Sequence, residues 1–90
     1  MKEFTFTVED ESGIHARPAG MIVNCAKKYK ATVCVKTPEK EADGKRLLSV
    51  MSLGAVKSTP VTFVIDGEDE AAAARDLEAL CKEQLGHGRG

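Results

Sequence analysis

The sequence predicts an α+β fold, an open-faced sandwich in which a four-stranded antiparallel sheet carries three helices on one face. Four segments alternate apolar and polar residues, which is the pattern of strands with one buried face. Three other segments place apolar residues at helical spacing, and together they give the order β-α-β-β-α-β-α. The 90 residues suit one compact domain. We assign it to residues 1–85 and expect a frayed tail at 86–90.

The first strand is predicted over 4–8, where apolar residues alternate with threonines. The stretch DESG then interrupts the chain, and the spacing becomes helical over 16–28. The buried face of this helix is formed by Ala19, Ile22, Val23 and Ala26. The β-branched stretch ATVCVK (31–36) predicts the second strand. After a turn, the charged stretch KEAD (40–43) predicts a third strand at an exposed sheet edge.

The second half of the chain continues with RLLSVMSLG (46–54), which predicts a short helix ended by Gly54. PVTFVID, opened by Pro60, predicts the fourth strand. GEDEAAAARDLEALCKEQL (67–85) predicts a long helix, whose acidic first turn suits the helix dipole. The buried stripe of this helix is expected to be Ala73, Ala74, Leu77, Leu80 and Cys81. The other face of the sheet is expected to meet water through Thr5, Thr7, Thr32 and Thr62.

Composition excludes several classes of function. Lys and Arg (13) nearly balance Asp and Glu (14), and with no Trp and one Tyr the chain offers little to nucleic acid. Cys25, Cys34 and Cys81 are odd in number and contain no C-x-x-C, which is typical of reduced, mostly buried thiols. The stretch MKEFTFTVED has no apolar run, so we expect neither a signal peptide nor membrane insertion. These observations predict a soluble cytoplasmic protein without a cofactor.

The stretch SGIHARPAG (12–20) is the strongest functional motif. It places His15 at the N-cap of the first helix and Pro18 in its first turn, where a missing N–H costs little. The unpaired amides near Ala16 and Arg17, with the Arg17 guanidinium, form an anion site. The same positive field is expected to lower the imidazole pKa. A neutral imidazole is a nucleophile that can carry a phosphoryl group.

Other interpretations of His15 remain open on spacing alone. It could serve only as a polar helix cap. A metal site would need a second ligand at suitable spacing, and none lies nearby. Asp10 and Glu11 could orient the imidazole as in a hydrolase, but no serine or cysteine is placed beside it to act as the nucleophile.

The helix over 46–54 favours the functional interpretation, because it has more apolar residues than one buried stripe can hold. We expect Val50 and Leu53, with part of Leu47, to face the core. Leu48 and Met51 would then be exposed, and a small apolar patch commonly marks a docking surface. The alternative is a helix buried all round by the tail and the long loops.

SGIHARPAG followed by KRLLSVMSLG (45–54) resembles the HPr family, the histidine-containing phosphocarriers of the bacterial sugar phosphotransferase system. The resemblance also covers length, element order, PVTFVIDGEDE and the last helix. It implies a monomeric carrier, not an enzyme, that is phosphorylated on Nδ1 of His15 by enzyme I after enzyme I is charged by phosphoenolpyruvate. The phosphoryl group would contact Arg17 and then pass to sugar-specific enzyme IIA domains. The docking surface implied for both partners comprises Gly20, Met21, Leu47, Leu48 and Met51.

Arg46 departs from the Gram-positive branch of this family, in which a regulatory serine occupies that position. Arginine is a poor N-cap, so the helix start loses about 1 kcal/mol unless Asp43 or another neighbour substitutes. With Lys45, Arg46 adds positive charge beside the docking surface, which should speed association with acidic partners at low salt. The departure also keeps open an HPr-like regulatory paralogue that binds target proteins according to His15 phosphorylation. A third interpretation is a small module in which His15 is purely structural.

Overall fold

The computed structural model of the chain describes residues 1–9, 13–14 and 16–84. The elements are β1 (Lys2–Thr7), α1 (Ala16–Lys27), β2 (Thr32–Lys36), β3 (Glu41–Asp43), α2 (Leu47–Met51), β4 (Pro60–Asp66) and α3 (Glu70–Gln84). The strands form one antiparallel sheet in the order β1-β4-β2-β3. The predicted fold class and element order are confirmed. In the part of the chain that is described, no helix has the length and apolarity needed to cross a membrane.

The core lies between one face of the sheet and the helices. Val61, Phe63 and Ile65 of β4 are fully buried, whereas the residues between them are partly exposed. The rings of Phe4 and Phe6 in β1 stack on Phe63 at centroid distances of 4.9 and 6.2 Å. Alternation along the strands therefore directs the aromatic rings inward, as the sequence predicts.

The opposite sheet face is largely polar, and no helix of the described residues covers it. Thr5 and Thr62 face each other across β1 and β4, and their hydroxyl oxygens are hydrogen-bonded at 2.8 Å. Cys34 is half-buried on this face, where its thiol donates to Glu41. Burial and this hydrogen bond raise the pKa of the Cys34 thiol. The face predicted to meet water is thus lined with hydroxyl and charged groups.

Helices α1 and α3 pack against each other over the sheet. The face predicted for α1 is buried, and Cys25 joins it. The stripe of α3 is narrower than predicted, because Ala74 and Leu80 are only partly buried. Cys25 and Cys81 are buried free thiols, and burial raises the pKa of each. The predicted tail at 86–90 lies outside the described residues.

The short helix α2 buries Val50 and Leu53, as expected. Its regular part ends at Met51, before the predicted stop at Gly54, because the Leu53 and Gly54 amides donate to carbonyls only three residues back. Gly54 follows with a left-handed φ of 64°.

The start of α2 has Arg46 as its N-cap residue, and in the described structure no side chain caps it. Asp43 does not replace the missing cap. Its Oδ1 accepts a hydrogen bond from the Lys45 amide at 2.9 Å, one residue before Arg46. The sequence expectation of an uncapped start is therefore met.

Candidate functional site

Gly13 and Ile14, which lie just before α1, pack closely against the backbone of Ala55 in the loop that follows α2. Gly13 has a left-handed φ of 68°, and a Cβ placed there would lie 2.3 Å from the carbonyl oxygen of Ala55. The Ile14 amide donates to the same oxygen at 3.0 Å. Only glycine fits such a close approach without displacing the loop. His15 itself lies outside the described residues, so its N-cap position and lowered pKa stay predictions.

The first turn of α1 presents groups that suit an anion. Ala16 and Arg17 are exposed, while Pro18 and Ala19 are buried against the core. Amides in a first helical turn have no acceptor within the helix, and this turn contains no acidic side chain. The exposed Ala16 and Arg17 therefore lie at the start of α1, directly after His15 in the chain.

An apolar surface adjoins this turn, and we call it the docking patch: Gly20, Met21, Leu47, Leu48 and Met51. Leu48 is 81% exposed, and Leu47 is 42% exposed. Met21 and Met51 are each 37% exposed. Helix α1 packs against α2, so these exposed apolar side chains lie on two neighbouring helices. The predicted exposure of Leu48 and Met51 is confirmed, and Leu47 is only partly buried, as expected.

Gly20 contributes an opening in this patch. Apart from its chain neighbours and the backbone of α1, no heavy atom of the described residues lies within 4 Å of the position that a Cβ would occupy there. A side chain from a partner could therefore approach the α1 backbone closely at this point. The glycine is not required by its own backbone conformation.

Val56 is an exposed apolar residue that the sequence pattern did not predict. It is 60% exposed, and its Cα lies 2.9 Å from the position of a Cβ on Gly13. Val56 belongs to no helix or strand, so periodicity gave no signal for it. The structure places it beside Gly13, next to the entry to α1.

The two cations beside the docking patch differ in environment. Arg46 is exposed, whereas Lys45 is half-buried and its Nζ donates to the carbonyl oxygen of Tyr29 at 2.8 Å. Both line an open depression of about 480 Å³ with Lys27, Leu47, Leu48 and Ser49. Both cations therefore lie beside the docking patch, and the structure adds a backbone partner for Lys45. Its charge is bound to the backbone beyond the end of α1.

Acidic residues are absent from the segments that form α1 and α2, the helices that carry the docking patch. Between residues 12 and 38, and again between 44 and 65, there is no Asp or Glu. Both α1 and α2 therefore carry no negative side chain. A surface of this kind favours an acidic partner and steers its approach.

Comparisons with known proteins agree with this geometry. A family model described as the PTS HPr component phosphorylation site matches residues 2–83. The chain is 36% identical over 87 residues to the multiphosphoryl transfer protein of Haemophilus influenzae, covering 93% of this chain but only 17% of that protein.

Two solved structures are similar over almost their full length. One is HPr-C-His from Thermoanaerobacter tengcongensis, with a TM-score of 0.88 and 31% identity, covering 100% of this chain and 99% of that one. The other is the histidine-containing phosphocarrier protein of a Mycoplasma, with a TM-score of 0.89 and 26% identity, covering 91% of this chain and 93% of that one.

Proposed function

The chain belongs to the PTS HPr family, and on that premise we propose that it is a phosphocarrier of the sugar phosphotransferase system. His15 accepts a phosphoryl group from phospho-enzyme I and passes it to a sugar-specific enzyme IIA. The observation that supports this most is the exposed docking patch beside the entry to α1. The protein is a carrier that is restored by the second transfer, not an enzyme with its own turnover.

In the proposed transfer, Nδ1 of His15 forms a bond to phosphorus while the bond between phosphorus and the donor breaks. The attached group carries a charge of about −1.5 to −2 near neutral pH. The Arg17 guanidinium and the free amides near Ala16 offset this charge. Transfer to enzyme IIA reverses the step and leaves His15 neutral again.

The docking patch serves both partners in this proposal. Leu47, Leu48, Met51 and Met21 supply apolar contact, Gly20 admits a partner side chain, and Val56 extends the contact towards the loop before α1. Arg46 attracts acidic groups at the rim. We propose a cytoplasmic monomer, because self-association through α2 would cover the surface that the partners need.

A phosphotransfer assay with purified enzyme I and labelled phosphoenolpyruvate tests the proposal. The protein should take up an acid-labile label, and His15→Ala should lose it. The chain has two histidines, so His87→Ala is the matched control and should be labelled like the wild type. Normal labelling of His15→Ala would contradict the assignment.

Arg46 favours one second candidate, an HPr-like regulatory paralogue that binds target proteins according to the phosphorylation of His15. Its exposed position beside the patch would alter partner choice. A protein that is labelled by enzyme I but passes the label to no enzyme IIA would support the paralogue over the carrier.

A further inference from the structure

Lys45 is a cation near the docking patch whose backbone and side chain are both hydrogen-bonded. Its Nζ donates to the Tyr29 carbonyl at 2.8 Å, and its amide donates to Oδ1 of Asp43 at 2.9 Å. The preceding Gly44 amide donates to the Val33 carbonyl at 2.7 Å. The residue is therefore fixed at both its backbone and its side-chain end.

The acceptor of the Lys45 bond, the Tyr29 carbonyl, lies two residues beyond the end of α1. The amides of Lys28 and Tyr29 donate back to the carbonyls of Cys25 and Ala26, which tightens the last turn. Carbonyls at a helix end need partners from outside the helix, and a cation suits the negative end of the dipole. Lys45 supplies that partner from the segment that leads directly into α2.

The start of α3 lies close to the same point. Asp69 accepts hydrogen bonds from the amides of Lys30 and Ala31 at 2.8 and 2.9 Å. The pKa of Asp69 is lowered, first by the Lys30 amide and also by the charge of Lys45. Asp69 of the α3 start thus binds the two residues that follow Tyr29, whose carbonyl accepts the bond from Lys45.

Helix α2 depends on such outside contacts for its orientation. It has only five residues, and a helix this short is not stable by itself. At its far end Nζ of Lys40 donates to the Ser52 carbonyl at 3.2 Å. On the side facing α1, Nζ of Lys45 joins the segment before α2 to the Tyr29 carbonyl beyond α1.

We propose that Lys45 is a positioning residue, whose bond to the Tyr29 carbonyl sets α2 against α1 and so fixes Leu48 relative to Met21. The inference rests on the proposed function, since it assigns the docking patch a defined shape. Partners do not need to contact the ammonium. Arg46, one residue on and exposed, attracts acidic partners from a distance.

The free protein provides the first test, through backbone amide NMR spectra of Lys45→Met and Arg46→Met. Methionine keeps the apolar stem and removes the charge in each case. Lys45→Met should shift the amide resonances of Leu47–Met51 and also those of Lys28 and Tyr29. Arg46→Met should shift only its immediate neighbours. Unchanged resonances at Tyr29 and across α2 in Lys45→Met would overturn the proposal.

Phosphotransfer from enzyme I provides the second test, at a temperature where circular dichroism shows both variants folded. Lys45→Met should raise KM about fivefold, as expected for loss of a charge-assisted hydrogen bond. Its kcat and the salt dependence of KM should match the wild type. Arg46→Met should instead weaken the salt dependence.

Two results of this assay would overturn the role of Lys45. One is an unchanged KM, and the other is a salt dependence reduced as far as in Arg46→Met, which would make Lys45 a direct contact charge. If enzyme I fails to label the wild type, the proposed function fails. The NMR comparison then still decides whether Lys45 sets α2 against α1.

Discussion

Helices α2 and α3 use their leucines in opposite ways. Leu77 in the fifteen residues of α3 is completely buried. In the five residues of α2, Leu48 is 81% exposed and Leu47 is 42% exposed. Leu77 contributes to the core. Leu47 and Leu48 expose apolar surface to water, which is unfavourable, and a partner that buries this surface gains free energy. Burial therefore separates leucines that hold the fold from leucines that are available for docking.

The two helices also differ in charge. Helix α3 begins with Glu70 and carries Asp76, Glu78 and Glu83. Helix α2 has no acidic residue, and Arg46 precedes it. An acidic partner is therefore attracted to the face that already exposes apolar side chains, and it is repelled from α3. Charge and hydrophobicity indicate the same surface.

The largest expected effect contrasts the stability of the two helices. Leu77→Ala should lower the free energy of unfolding by about 3 kcal/mol, because it leaves a cavity in the core. Leu48→Ala should change it by less than about 0.5 kcal/mol, since the side chain is exposed. Urea denaturation of both variants measures this difference. Equal losses would mean that α2 is as much a part of the core as α3.

The effects of the same two substitutions on the KM for phosphotransfer should have the opposite order. Leu48→Ala should raise the KM for phosphotransfer from enzyme I about tenfold, as for an interface residue of moderate weight. Folded Leu77→Ala should keep the wild-type KM. Steady-state assays over a range of carrier concentrations give both values. A normal KM for Leu48→Ala would remove Leu48 from the docking patch.

The segment that follows α2 contains a residue with a strained backbone conformation. Ser58 has a left-handed φ of 77°, a conformation that suits glycine better than serine. Ser58→Gly should raise the free energy of unfolding by about 1 kcal/mol while the amide still donates to the Val8 carbonyl. Chemical denaturation checks the gain. A loss of stability would show that the serine side chain has a compensating role.

The start of α3 should respond to acid in a way that α2 does not. Hydrogen bonds from the Lys30 and Ala31 amides and the charge of Lys45 lower the pKa of Asp69 from 3.8. Its contribution to stability is therefore complete above pH 3.8 and is lost as the pH falls through the lower folded value. Melting temperatures measured down the acid range should fall less steeply for Asp69→Asn than for the wild type. Identical slopes would contradict this linkage.

Much of this arrangement follows from local sequence pattern. Alternation in β4 predicts the burial of Phe63, and the excess of apolar residues in 46–54 predicts an exposed Leu48. Each inference uses residues within one element, so no tertiary information is needed. The motif around Arg17 likewise predicts the exposed first turn of α1.

The contacts that hold the site could not be predicted, because they join distant segments. The sequence predicts positive charge at Lys45 beside the docking patch, but it does not predict the bond to the Tyr29 carbonyl, which depends on the fold. The backbone approach of Gly13 to Ala55 depends on how two loops meet. Val56 has no periodic neighbours that would mark it as exposed.

The central claim is that partners dock on the α1–α2 face beside His15 and leave α3 uncovered. Backbone amide NMR of the labelled protein, titrated with unlabelled enzyme I, tests this directly. We expect shifts or line broadening at Arg17, Met21 and Leu48, with little change at Arg75 and Lys82 on the exposed side of α3. Perturbations centred on α3, with Leu48 unaffected, would contradict the account.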